Sequence, residues 1–152
     1  MKIVAGLTVA MLALVSSNAL AQQSKNASFI QKWTQGLNGK KLVESVSHSS
    51  GSYNGISLNA ASVNTTHLCS NNQLIYTSQS RVSSDGSGVH GSNGGADKVI
   101  AAWRIVDANA EKAIIEITAS NGVKGQMLLQ LANGGLYANR SRVSGETSEL
   151  CQ

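Results

Sequence analysis

Residues able to do chemistry are few in this chain of 152 residues, and their spacing is uninformative for most catalytic classes. Its two cysteines, Cys69 and Cys151, form no Cys-x-x-Cys pair, so a catalytic thiol has little support. In an oxidising compartment the pair predicts one disulfide closing a long loop; two free thiols or a bridge between chains are the alternatives. His48, His67 and His90 lie in turn-like sequence without a His-x-His spacing. They read as exposed loop histidines, and no metal site is predicted. Among the eight acids, Glu111, Glu116, Glu146 and Glu149 read as surface residues, and no pair is set up for glycoside chemistry. Serines are too numerous to support or exclude a triad, and no Gly-x-Ser-x-Gly elbow is present. Gly86, Gly88 and Gly91 match Gly-x-Gly-x-x-Gly, but Ser92-Asn93-Gly94-Gly95 follows where a dinucleotide site needs a helix. The chain is therefore not expected to be an enzyme, and no cofactor is predicted.

The elements that would position any site are strands. From Val99 to Val143 apolar and polar residues alternate: Ala113, Ile115 and Ile117 against Lys112, Glu116 and Thr118, then Met127, Leu129 and Leu131 against Gln126 and Gln130. Period two with branched aliphatic residues marks strands with one face in a core. Asn121-Gly122 and Asn133-Gly134 supply the positive φ angles of tight hairpins, so about four strands should form an antiparallel meander here. Upstream, the residues around Lys41 to Val63 predict two weaker strands. Another runs from Gln73 to Val82, with Leu74, Tyr76 and Val82 on one face beside Ser78 and Ser80. That face reads as a strand emerging from the core, or as the wall of a wet pocket. Ser83 to Asp97, rich in Gly and Ser, reads as a mobile loop beside a barrel mouth. The chain has no proline, so Gly and Asn must make its turns.

Met1 to Ala21 has the layout of a secretory signal peptide: Lys2, an apolar run from Ile3 to Val15, and Ala19-Leu20-Ala21 ahead of Gln22. The run is too short to span a bilayer, and no cysteine follows it to carry a lipid. A single domain is expected over 22–152, periplasmic or secreted, without a membrane anchor. One helix is predicted over Ala27 to Leu37, with Phe29, Ile30, Trp33 and Leu37 on one face and Ser28 with Gln31 in the form of a capping box. Such a helix closes an open end of a barrel; a surface for a membrane or partner is the alternative. The formal net charge of +4 is scattered, with no basic cluster or interleaved aromatics, which argues against nucleic acid. The expected fold is all-β, an antiparallel meander of seven or eight strands curled into a barrel or strongly bent sheet with the helix against one end.

The pieces Leu37-Asn38-Gly39, Leu68-Cys69-Ser70-Asn71-Asn72-Gln73-Leu74, Ala102-Trp103-Arg104-Ile105 and Gly135-Leu136-Tyr137-Ala138-Asn139-Arg140 give a spacing similar to small exported lipocalin-like (calycin-like) β-barrels of bacteria. The Gly-x-Trp signature of true lipocalins is missing, since Trp33 follows Gln31 and Trp103 follows Ala101 at that spacing. The resemblance implies a non-enzymatic binding protein whose partner is a small apolar molecule, or a protein, in or on the barrel. For the small molecule, Tyr76, Trp103, Met127 and Leu129 are the expected pocket residues. The alternative is an inhibitor or immunity-type protein that binds another exported protein.

Overall fold

The structure, a computed structural model, describes residues 8–49, 57–86 and 89–151. It is all-β. One helix, α1 (Thr8–Leu37), precedes β1 (Lys40–Ser49), β2 (Ser57–Leu68), β3 (Gln73–Gly86), β4 (Val89–Ala108), β5 (Lys112–Ala119), β6 (Lys124–Ala132), β7 (Gly135–Ala138) and β8 (Ser141–Thr147). Each strand pairs antiparallel with the next, and β8 returns to β1, which closes the expected meander into a barrel. That closure is short: only Lys40–Val43 of β1 pairs with Ser144–Thr147 of β8. β4 likewise meets β5 from Ala101 onward, with a bulge between Ile105 and Asp107. The outer parts of β1–β4 therefore continue beyond the closed ring as a four-stranded sheet.

Turns explain why the meander folds in this register. Asn133 and Gly134 have φ of 50° and 68°, the left-handed pair of a two-residue hairpin. The next hairpin uses Asn139 and Arg140, with φ of 47° and 79°, where a glycine would be the easier second residue. Asparagine side chains brace three further turns: Asn109 Oδ1 accepts from the Glu111 and Lys112 amides, Asn121 Oδ1 from Val123 and Asn71 Oδ1 from Gln73. In a chain without proline, these side-chain mimics of a backbone turn take over its role.

The core lies inside the ring. Ile105, Ile115 and Met127 form one cross-strand row, and Trp103 faces Ile117 beside it. Further along the inner wall the apolar layer gives way: Asn64 donates to Glu44 Oε2 at 3.4 Å, and Ser78 Oγ donates to Asn64 Oδ1 at 2.9 Å. On β3 the inner face runs from Leu74, 3 % exposed, to Val82, 45 % exposed. This gradient is that of a strand leaving the core.

Three local expectations need correction or extension. α1 contains the predicted 27–37 stretch but extends back to Thr8, since no Gly or Pro lies between Thr8 and Gly36. Ser28 consequently lies inside the helix and caps nothing. The stretch Ser83 to Asp97 is not a loop: β3 and β4 pair through it, Ser83 with Ser92 and Ser78 with Asp97. Backbone pairing against a neighbouring strand overrides the weak strand preference of Gly, Ser and Asn. The tip of that hairpin, and the β1–β2 connection, lie outside the described residues. Among the described residues, no helix is long and apolar enough to cross a membrane.

Candidate functional site

Tyr76, Trp103, Met127 and Leu129 come together, on the inner wall of the barrel. They do so as packing. Trp103, Met127 and Leu129 belong to one buried cluster with Leu68 and Ile115, and Tyr76 is half-buried against it. Trp103 Nε1 donates to the Cys69 carbonyl at 3.0 Å, which fixes the indole across the β2–β3 turn. None of the four lines the cleft between α1 and the β6–β7 hairpin.

The apolar cleft that is present lies at the helix-covered end. The predicted apolar face of α1 is the one that docks: Leu37 is buried in the core, and Phe29, Ile30 and Trp33 pack partly buried against it. Two polar contacts set the helix's position. Trp33 Nε1 donates to the Asn109 carbonyl at 2.8 Å, and Asn26 Nδ2 to Asp107 Oδ1 at 2.6 Å, both at the β4–β5 turn. Held there, α1 covers only part of the barrel end. On the other side Leu131 and Leu136, a cross-strand pair of β6 and β7, face the helix across a gap.

That gap is a cleft of about 430 Å³ lined on the helix side by Phe29, Lys32, Trp33 and Gly36. Gly36 contributes to its size, because no heavy atom lies within 4 Å of the place a Cβ would occupy. Leu131, in phase with the buried Leu129, remains 49 % exposed, since the helix does not reach over it. Lys32 stands at the rim with its Nζ 5.7 Å from the centre of the Phe29 ring. The lining is almost wholly apolar with one cation, which suits holding a small molecule better than bond-making chemistry.

A second arrangement involves titratable groups, on the outside of the barrel. His67 and Ile75 are cross-strand partners on the outer face, yet both are buried. Over His67 lies the C-terminal tail, residues 148–151, which folds back after β8. The expected Cys69–Cys151 disulfide is formed. Ser148 N donates to the Gly39 carbonyl at 2.8 Å, and Lys41 Nζ meets Glu149 at 2.9 Å and Glu146 at 3.5 Å. Ser148 Oγ lies 2.7 Å from His67 Nδ1 and also accepts from the Leu150 amide at 3.2 Å. The direction of the Ser148–His67 bond follows the tautomer of the imidazole ring. Reading His67 as an exposed loop residue is therefore corrected: it sits on β2 at 2 % exposure. A serine beside a histidine could serve a hydrolase, but both side chains are buried and neither lines a cleft described above. Here the pair fastens the tail.

Burial holds the His67 pKa below 6.5, opposed by Glu149 and reinforced by Lys41 and Lys98. The unfolded chain takes up a proton at 6.5 that the native ring resists, so acidification favours unfolding. Native stability should be insensitive to this group above that pH. It should decline as pH falls through 6.5, until the buried ring protonates as well. Thermal melts between about pH 7.5 and about pH 5.5 should show this decline, and His67→Gln should flatten it. An equal decline in the variant would show that other groups are responsible.

Compared with protein-family models, curated proteins and solved structures, the chain finds no match. The barrel described here thus rests on its own strand pairing.

Proposed function

We propose that this chain is an exported, non-enzymatic binding protein, and that it holds a small apolar molecule between α1 and the β6–β7 hairpin. The supporting observation is the cleft of about 430 Å³, whose volume lies within the range of small-molecule sites, with the half-exposed Leu131 in its wall. A large aliphatic side chain left partly in water at the mouth of a concave apolar site is what a ligand would cover. Export is proposed from the leader-like residues 1–21, and the disulfide is in keeping with an oxidising compartment.

Gly36→Leu tests this reading. The added side chain enters open space, so it should fill the cleft without displacing the helix. The wild-type protein should enhance the fluorescence of the neutral apolar probe N-phenyl-1-naphthylamine, and the variant should lose most of that signal while melting no earlier. Undiminished enhancement in the folded variant would place the binding elsewhere. The second reading, a protein partner, is favoured by one feature: on the side away from β3, β4 pairs with β5 only from Ala101. The preceding stretch is free, among the described residues, to accept a partner's strand. Binding of that kind would survive Gly36→Leu.

A further inference from the structure

We infer that the ligand of the helix-side cleft carries an anionic head: a linear amphiphile, with its chain between α1 and the Leu131–Leu136 pair and its carboxylate or sulfate at Lys32. This rests on the cleft being the binding site and adds the chemical class of what it holds.

The distribution of charge carries the inference. Every side chain lining the cleft is apolar or absent except Lys32. Its Nζ lies over the Phe29 ring in the wall of the cleft, 5.7 Å from the ring centre, on a side chain that is otherwise exposed. Among the described residues no carboxylate pairs with Lys32. Glu111 adjoins the lining residue Ala110 but forms no ion pair with it. Other lysines show what a satisfied cation looks like here, with Lys41 on Glu146 and Glu149, and Lys124 on Glu116. An unpaired ammonium at the edge of a low-dielectric cleft attracts an anion more strongly than one surrounded by water. The remainder of the ligand must be apolar, because a polar group placed against Leu131, Leu136 and Trp33 would lose hydration without gaining a partner. A cleft of this volume takes one molecule, and we commit to a free amphiphile in preference to a membrane surface.

Decanoate and 1-decanol, below their aggregation concentrations at neutral pH, separate head from chain. Titration calorimetry of the full protein should show both binding the wild type. Lys32→Gln should weaken decanoate about fivefold and leave decanol within about twofold. Lys32→Arg should keep the wild-type preference, and salt should weaken decanoate alone. Gly36→Leu should abolish both. Equal effects of Lys32→Gln on the two probes, or none, would overturn the anionic head while leaving the cleft as a binding site. Failure of wild type to bind either probe would overturn the cleft reading together with this one. Sedimentation with vesicles of anionic phospholipid, without binding of monomeric decanoate, would overturn the choice of a free amphiphile.

Discussion

Replacing Cys69 and Cys151 together by serine is expected to lower the melting temperature by about 10 °C or more while leaving the barrel folded. The bond spans a sequence separation of 82 residues, so its loss returns a large closed loop to the unfolded ensemble. Chain-entropy arithmetic puts that at about 4 kcal/mol. Noncovalent contacts of the tail offset little of it. The Lys41–Glu149 pair is solvent-exposed on the glutamate side and contributes little in water. The Ser148–His67 hydrogen bond is worth about 1 kcal/mol. Against this stands the backbone entropy of ordering each tail residue, about 1–2 kcal/mol. In the variant the tail should therefore detach locally before the barrel melts. Hydrogen exchange at the Ser148 and Leu150 amides should accelerate while exchange in β5 and β6 changes less. A melting temperature within about 2 °C of wild type would show that the bond contributes little to stability.

Leu129→Ala should cost about 3–4 kcal/mol, toward the upper part of the range for buried leucines. Leu129 is fully buried, and its cross-strand neighbours are Ala113 on β5 and Ala138 on β7. Truncation would leave three alanines side by side in one row. Alanine has no side-chain torsion with which to fill the gap, and the backbones on both sides are tied into the ladder, so the cavity should persist. Urea unfolding measures the loss directly. The same variant separates two views of this residue. As part of the packed core it should lose stability while the folded protein still binds the neutral naphthylamine probe at the α1 cleft. A variant that kept its stability and lost the probe would return Leu129 to the role of a pocket residue.

Acid should expose a further dependence at lower pH. Hydrogen bonding from Arg104, aided by Lys124, holds the Glu116 carboxyl below 4.5, and Lys41 does the same for Glu149. Both contributions are present above that pH and fade as pH falls through the depressed values. They lie below the His67 window and do not obscure it.

What could be read from the residues alone was local. Alternation at Ala113, Ile115 and Ile117, and at Met127 and Leu129, reports which face of a strand meets the core, because successive side chains point to opposite sides. Asn133-Gly134 reports a hairpin because few other dipeptides take two positive φ angles at low cost. The helix face through Phe29, Trp33 and Leu37 was legible for the same reason, and the disulfide followed from having only two cysteines to pair. The Asn139–Arg140 turn was not legible, since arginine carries no such signal. Nor was the strand through Ser83 to Asp97, whose pairing is made by backbone and leaves no pattern in its small side chains. Tertiary structure alone decided what each face meets. His67 is on the outer face of β2 and would be in water, but a tail tethered through Cys151 covers it. Leu131 is in phase with Leu129 and would be core, but α1 stops short of it. Periodicity along a chain records the direction of a side chain; whether that direction ends in protein or in solvent depends on contacts between residues far apart in sequence, and the candidate site lies where one such contact is incomplete.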